Sequence, residues 1–292
     1  MPWLRYTLRT DTEHAEAVTE ALEASGAQAV TTVDAEDQPI FEPLPGETPL
    51  WANLEITGLF EADIDTPALQ SELASKLPDN IMQTTRLEPL EDKDWSRVWM
   101  EDYHPMQFGE NVWIVPSWCD APHPDAVNIL LDPGLAFGTG THPTTSLCLQ
   151  WLDDKQLINK QVLDYGCGSG ILAIAAAKLG ADQVTAIDID PQALQATRDN
   201  AERNDVADRI STHLPMDLPD AGFDMLLANI LAGPLTELAP MLCKAIKPGA
   251  QLVLSGILAE QADNILQAYG QFCDMEPPVQ LDDWIRVSGR KR

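Results

Sequence analysis

The sequence predicts an α/β protein, with a doubly wound parallel sheet in the carboxyl-terminal part of the 292 residues and a smaller α+β unit before it. Three observations carry this. Short apolar runs (Gln161–Asp164, Gln183–Asp188, Phe223–Asn229, Gln251–Ser255) alternate with helix-forming stretches, which implies parallel strands joined by crossover helices. The first of these runs breaks at three closely spaced glycines, Gly166, Gly168 and Gly170, and the Ala-rich stretch Ile171–Lys178 follows, giving strand, glycine turn and helix. The first ninety residues read differently, as βαββαβ, the order of a ferredoxin-like α+β domain.

In that first unit Trp3–Arg9 alternates like a strand, and Thr12–Ser25 has apolar residues near helical spacing and stops at Gly26. Ala27–Val33 is a second strand, Pro39–Pro49 a loop rich in turn-formers, and Leu50–Phe60 a third strand. Pro67–Leu77 is a helix with Thr66 as its expected cap, and Ile81–Leu87 a fourth strand. Residues 1–90 hold seventeen acids against four Lys and Arg and no catalytic grouping, so the unit reads as a docking module or simply a charged, solvated face. Residues 91–108 read as a linker helix and hinge, with Trp95, Trp99 and Tyr103 on one stripe that packs against a domain. The larger domain is expected over 109–292, starting with a strand at Asn111–Val115.

The glycine spacing narrows the ligand. A dinucleotide fingerprint needs Gly-x-Gly-x-x-Gly, and here Ile171 stands where its third glycine belongs. An acid, Asp164, opens the turn; it would repel phosphate and suits a cationic ligand. Asp188 closes the second strand, where a carboxylate can accept hydrogen bonds from two ribose hydroxyls; Asp190 reads as the cap of the helix that Pro191 begins. Asn229 closes the third strand and projects towards the same crevice, unless it only closes the strand-to-helix turn. Upstream, the loop Leu131–Thr145 feeds a helix running to about Leu152, whose N-terminus offers spare N–H donors and partial positive charge to an anionic group. Thr145, Thr141 and Phe137 are its ligand candidates, though Phe137 can equally pack. His142 is either a proton acceptor or a hydrogen-bonded structural residue, with no partner at metal spacing. The chain is expected to end with a helix from Glu260 to about Phe272 and two antiparallel strands near Val279 and Trp284–Val287.

Composition bounds the function. Content is 45% hydrophobic and 22% charged, with net charge −28. Such a surface repels nucleic acid; it favours a basic protein partner by steering, or reflects solubility or a saline habitat. No run approaches the ~20 apolar residues of a membrane span, and the start carries no signal-peptide pattern. Five cysteines show no Cys-x-x-Cys pairing, so metal and disulfide frameworks are not expected and a reducing cytoplasm fits.

Asp164-x-Gly-x-Gly-x-Gly170 resembles the first motif of class I S-adenosylmethionine methyltransferases. Asn229 resembles the Asn of the Asn-Pro-Pro-Tyr motif of amino-group methyltransferases, although Ile-Leu-Ala follows it and no aromatic is present to stack a planar substrate. Leu131-Asp-Pro-Gly-Leu-Ala-Phe-Gly-Thr-Gly-Thr-His-Pro-Thr-Thr145, Gly166-Cys-Gly-Ser-Gly-Ile-Leu-Ala-Ile-Ala175, Asp188-Ile-Asp-Pro191, Ala228-Asn-Ile-Leu-Ala-Gly-Pro-Leu235 and Leu254-Ser-Gly-Ile-Leu258 together resemble the bacterial ribosomal protein L11 methyltransferase family. Phe41–Glu47 and Leu90–Trp95 agree, so the resemblance spans nearly the whole chain. It implies a Rossmann-like class I methyltransferase sheet with an N-terminal ferredoxin-like domain, S-adenosyl-L-methionine as cofactor, and Thr145, Gly166, Asp188 and Asn229 on the cofactor-contacting positions. Gly168, Gly170 and Asp164 complete that set. It also implies methylation, to trimethyl, of the α- and ε-amino groups of ribosomal protein L11.

An ammonium has no lone pair, so the target amine must first lose a proton. Free values are about 8 for an α-amine and about 10.4 for lysine, and burial beside a sulfonium lowers either. No dedicated base is apparent. The Asn229 amide oxygen and the Ile230 carbonyl are expected to accept amine hydrogens and aim the lone pair. The rival readings are a methyltransferase acting on RNA or a small molecule, a nicotinamide-type oxidoreductase, and a non-catalytic binder of S-adenosylmethionine.

Overall fold

A computed structural model describes residues 3–36, 51–90, 103–132, 142–219 and 222–292. They fall in two compact units, Met1–Trp99 and Met100–Arg292. The expected loop at 39–49 and residues 91–102 of the expected linker 91–108 lie outside the described residues; the end of that linker is corrected, since Met106–Phe108 form a strand paired within the second unit, which therefore starts before 109.

The first unit runs β1 (Trp3–Asp11), α1 (Ala15–Ala24), β2 (Ala29–Asp34), β3 (Asn53–Glu61), α2 (Thr66–Lys76), α3 (Asp79–Met82) and β4 (Arg86–Leu90). The strands form an antiparallel sheet in the order β2-β3-β1-β4, as a ferredoxin-like domain requires. Alternation decides its buried face: Tyr6, Leu8, Leu54, Ile56 and Phe60 meet Val18 and Leu22 of α1 and Leu69 and Leu73 of α2. Two local expectations are corrected. The cap of α2 is Asp65, whose Oδ1 accepts from the Ala68 N–H at 3.0 Å, because a carboxylate there also meets the positive end of the helix. Ile81 lies in α3, where it is buried under the core, and the fourth strand starts five residues later. That strand is an edge, which explains how it tolerates Pro89.

The second unit opens with a small mixed sheet, β5 (Met106–Phe108), β6 (Val112–Val115) and β7 (Val127–Leu130). It continues through α4 (Pro143–Asp153), β8 (Gln161–Tyr165), α5 (Ile171–Lys178), β9 (Gln183–Ile187), α6 (Pro191–Arg203), β10 (Ile210–His213), β11 (Phe223–Asn229), α7 (Ala232–Ala245), β12 (Ile246–Leu258), α8 (Ala262–Gly270), β13 (Cys273–Met275), β14 (Val279–Leu281) and β15 (Trp284–Lys291). The large sheet is ordered β10-β9-β8-β11-β12-β15-β13, with β14 paired to β15. β10 to β12 are parallel, and β15 runs against its neighbours. The central strands are apolar on both faces because both are covered: Val162 and Leu227 pack towards α5, Leu163 and Leu226 towards α7 and α8. α5 is apolar all round and is buried along its length up to Ala177. β5, β7, β10 and β13 escaped the sequence reading, being three- or four-residue strands. α8 is shorter than the expected 260–272 because a 3-10 turn, Ala259–Gln261, precedes it. No helix among the described residues is long and apolar enough to cross a membrane.

The chain steps from β8 outward to β9 and β10, then returns to β11 and β12 on the other side. The order therefore reverses between β8 and β11, and a crevice opens beyond their carboxyl ends.

Candidate active site at the strand tips

β8 leads into a turn in which Gly166, Gly168 and Gly170 all have positive φ, 82°, 54° and 81°. The turn is fastened from two sides. Gly166 and Cys167 N–H groups both donate to the Ile187 carbonyl at the end of β9, at 2.7 and 2.9 Å. From α6, Thr197 Oγ1 donates to the Gly168 carbonyl at 3.1 Å and Asn200 Nδ2 to the Ser169 carbonyl at 2.9 Å. Gly170 admits α6 this closely, since a Cβ there would lie 2.8 Å from Thr197 Cγ2. Gly166 faces the opposite way: a Cβ would stand 2.1 Å from Cγ2 of Ile230, on the loop after β11. Positive φ and that approach together leave room only for glycine.

Asp188 follows β9 and is half-buried. Its Oδ2 accepts from the Gly168 N–H at 2.9 Å and its Oδ1 from the Asp190 N–H at 3.0 Å. Asp190 caps α6 as expected, accepting from the Gln192 N–H at 2.8 Å. Each Asp188 oxygen keeps accepting capacity beyond these bonds. Asp164 contrasts with it. Its side chain is fully buried in β8, and neither oxygen makes a hydrogen bond of normal geometry among the described residues. Burial pushes its carboxyl up to about 7; the Ala173 backbone amide partly opposes the rise and the Asp188 charge adds to it.

α4 brings up the third group. Thr145, fully buried in its first turn, accepts at Oγ1 from Asn229 Nδ2 at 3.3 Å. This turns the Asn229 Oδ1 away, and that oxygen is buried with no hydrogen-bond partner. His142, not a threonine, is the N-cap: its Nδ1 accepts from the Thr144 N–H at 3.4 Å and lies 2.8 Å from Thr144 Oγ1. Its ring meets Trp284 edge-on, centroids 4.9 Å apart, and burial lowers its pKa. This is the structural role among the two that the sequence left open. Phe137 and Thr141 lie outside the described residues. Among the described residues no group of three or more His, Cys, Asp or Glu is placed to hold a metal ion.

The structure thus brings Gly166 against Ile230, Gly168 onto Asp188 and Thr145 onto Asn229. It also reveals two residues that the sequence reading passed over. Ile189 and Met216 are 81% and 85% exposed, unusual for large apolar side chains. They lie two residues past Ile187 and three past His213, which are register partners in β9 and β10, so both follow the tips of neighbouring strands. The signal for Ile189 was its place between two acids; Met216 follows a strand too short to recognise.

A family model for ribosomal protein L11 methyltransferase matches residues 2–292. The chain belongs to the ribosomal protein L11 methyltransferase family. It is 55% identical to the family member of Alteromonas mediterranea over 292 residues, all of both chains, and 53% identical to that of Colwellia psychrerythraea, again over all of both. Among solved structures, the ribosomal protein L11 methylase of Lactobacillus delbrueckii subsp. bulgaricus is 36% identical, covers 65% of this chain and all of its own, and superposes with a TM-score of 0.59. Like the family, the chain is an S-adenosylmethionine-dependent methyltransferase with a Rossmann-like class I sheet.

Proposed function

We propose that this enzyme methylates the N-terminal α-amine and lysine ε-amines of ribosomal protein L11, to the trimethyl state, in the cytoplasm. The full-length likeness to L11 methyltransferases carries the reading. The strand tips support it with two buried groups that have no hydrogen-bond partner among the described residues, the Asp164 carboxyl and Asn229 Oδ1.

The residues fit the cofactor. Asp164 is a buried carboxyl with no cation beside it among the described residues, and a ligand with a sulfonium and an ammonium group would favour its ionised form. Asp188 retains acceptor capacity for ribose hydroxyls, and Ile189 and Met216 offer apolar faces for the adenine. Gly166, Gly168 and Gly170 keep the turn free of side chains, and Thr145 lies in the first turn of α4, whose positive end suits a carboxylate. Bound there, S-adenosylmethionine supplies a methyl group made electrophilic by the positive sulfur.

The protein's contribution is to bind and aim the amine. Asn229 is held by Thr145, so its Oδ1 points at a fixed spot. Together with the Ile230 carbonyl it accepts hydrogens from the amine and directs its lone pair. Burial of the amine beside the positive sulfur lowers its pKa, so its proton leaves to solvent without a dedicated base. The acidic amino-terminal unit docks the basic target. The net charge of −28 supports a basic protein as substrate rather than nucleic acid.

Mass spectrometry of L11 incubated with the enzyme and labelled S-adenosylmethionine tests this: methyl groups on its α-amine and lysines are expected. Label transferred to protein-free RNA, with L11 unmodified, would overturn it.

A further inference from the structure

The strand beside β11 ends in an irregularity that the activity does not by itself require. Between Leu254 and Ile257, β12 advances three residues while β15 advances two, so Ser255 and Gly256 form a bulge. Ser255 Oγ donates to the Ile285 carbonyl at 3.0 Å, tying the bulge to β15. Gly256 has φ 83°. Asn229 and Ser255 are register partners, so the bulge rises directly against the residue after Asn229.

That residue is Ile230, and its peptide rests on Gly256. A Cβ at Gly256 would stand 2.3 Å from the Ile230 carbonyl oxygen, 2.7 Å from its carbon and 3.1 Å from its nitrogen. All three are backbone atoms of one residue, so a rotamer change cannot relieve the overlap. The Ile230 side chain is braced separately on Gly166. The residue is therefore held between two glycines, its side chain against the turn after β8 and its backbone against the bulge in β12.

We propose that Gly256 is a positioning residue for methyl transfer: the bulge sets the direction of the Ile230 carbonyl that receives the target amine. This rests on the L11 reading above. Gly256 touches neither substrate nor cofactor; it acts through Ile230. A displacement of the carbonyl by about an ångström leaves the cofactor half of the crevice intact and misaims the amine, which costs about a hundredfold in turnover.

The test compares three variants of the full chain. Gly256→Ala carries the overlap. Gly249→Ala is the control for backbone strain: it lies in the same strand with φ 79°, and a Cβ there meets nothing within 4 Å. Ser255→Ala removes the hydroxyl that ties the bulge to β15. The expected result for Gly256→Ala is a kcat on L11 lower by about a hundredfold, with KM and the S-adenosylmethionine Kd within about threefold of the wild type. Ser255→Ala should lower kcat by about tenfold in the same manner, and Gly249→Ala should keep it within about fivefold. The inference is overturned if folded Gly256→Ala turns over normally, if it loses cofactor affinity in step with kcat, or if Gly249→Ala loses as much kcat. Should Gly256→Ala yield no folded protein, Ser255→Ala decides: a wild-type kcat there overturns the inference. A wild-type enzyme inactive on L11 would instead fell the substrate reading and this inference with it.

Discussion

Asp188 and Asn229 close two strands of the same sheet and look alike in sequence, each a polar residue ending an apolar run. The structure uses them in opposite ways. Asp188 accepts from two backbone N–H groups, Gly168 and Asp190, so the tip of β9 is largely satisfied before any ligand arrives. Asn229 donates one bond to Thr145 and keeps a buried oxygen without a partner. Asp164, one strand away, carries this furthest, with both oxygens buried and unbonded. One region uses its polar groups to build the turn; the other keeps acceptors in reserve. Unbonded buried acceptors weaken the free protein, which is the physical reason to connect them with a ligand.

The largest effect should come from Asp164. Its carboxyl holds a proton to about pH 7 in the folded chain, against 3.8 for the ordinary group. Below pH 3.8 both folded and unfolded forms are neutral and nothing is lost. Between 3.8 and 7 the unfolded chain ionises first, so stability falls as pH rises, and above 7 the deficit is constant. Asp164→Asn should therefore raise unfolding free energy at pH 8 by up to about 4 kcal/mol, a gain that vanishes near pH 4, while weakening S-adenosylmethionine. Urea melts at the two pH values read this directly. Equal stability of variant and wild type at pH 8 would break the comparison, because the reserve would then cost nothing.

Asn229→Ala comes next. Turnover on L11 should fall by about a hundredfold, roughly 2.7 kcal/mol of barrier, with the S-adenosylmethionine Kd within tenfold. Unchanged turnover would show that its free oxygen serves no amine. Asp188→Ala should mix the two losses that Asn229→Ala separates. S-adenosylmethionine binding should weaken by about 1.5–3 kcal/mol in calorimetry, and the melting temperature should drop as Gly168 loses its acceptor. A variant that melts as the wild type does and binds as tightly would show that Asp188 serves neither purpose.

The smallest effect belongs to His142. Burial lowers its pKa, so as pH falls below about 6.5 the unfolded chain takes up the proton first and the folded one is disfavoured. Substituting Asn, which caps without titrating, should slightly flatten the fall in stability below about pH 6.5. A profile unaltered by the substitution would remove His142 from the acid response.

The sequence by itself determined the alternation of long buried strands and helices, because a strand covered on both faces must be apolar throughout and leaves a continuous run to read. It determined the glycine turn, the acid after the second strand and the capping acid before Pro191, whose geometry depends on neighbours within a few residues. Tertiary structure decided the rest. The strands β5, β7, β10 and β13 are too short to carry a period, and Ile81 became helical because burial under the first unit's core could be reached that way. Sequence named Asn229, Thr145 and Gly166, but only packing put a hydroxyl against the amide, an isoleucine against the glycine and a bulge behind that isoleucine. Those contacts join residues 84, 64 and 26 positions apart, and no local preference encodes such meetings.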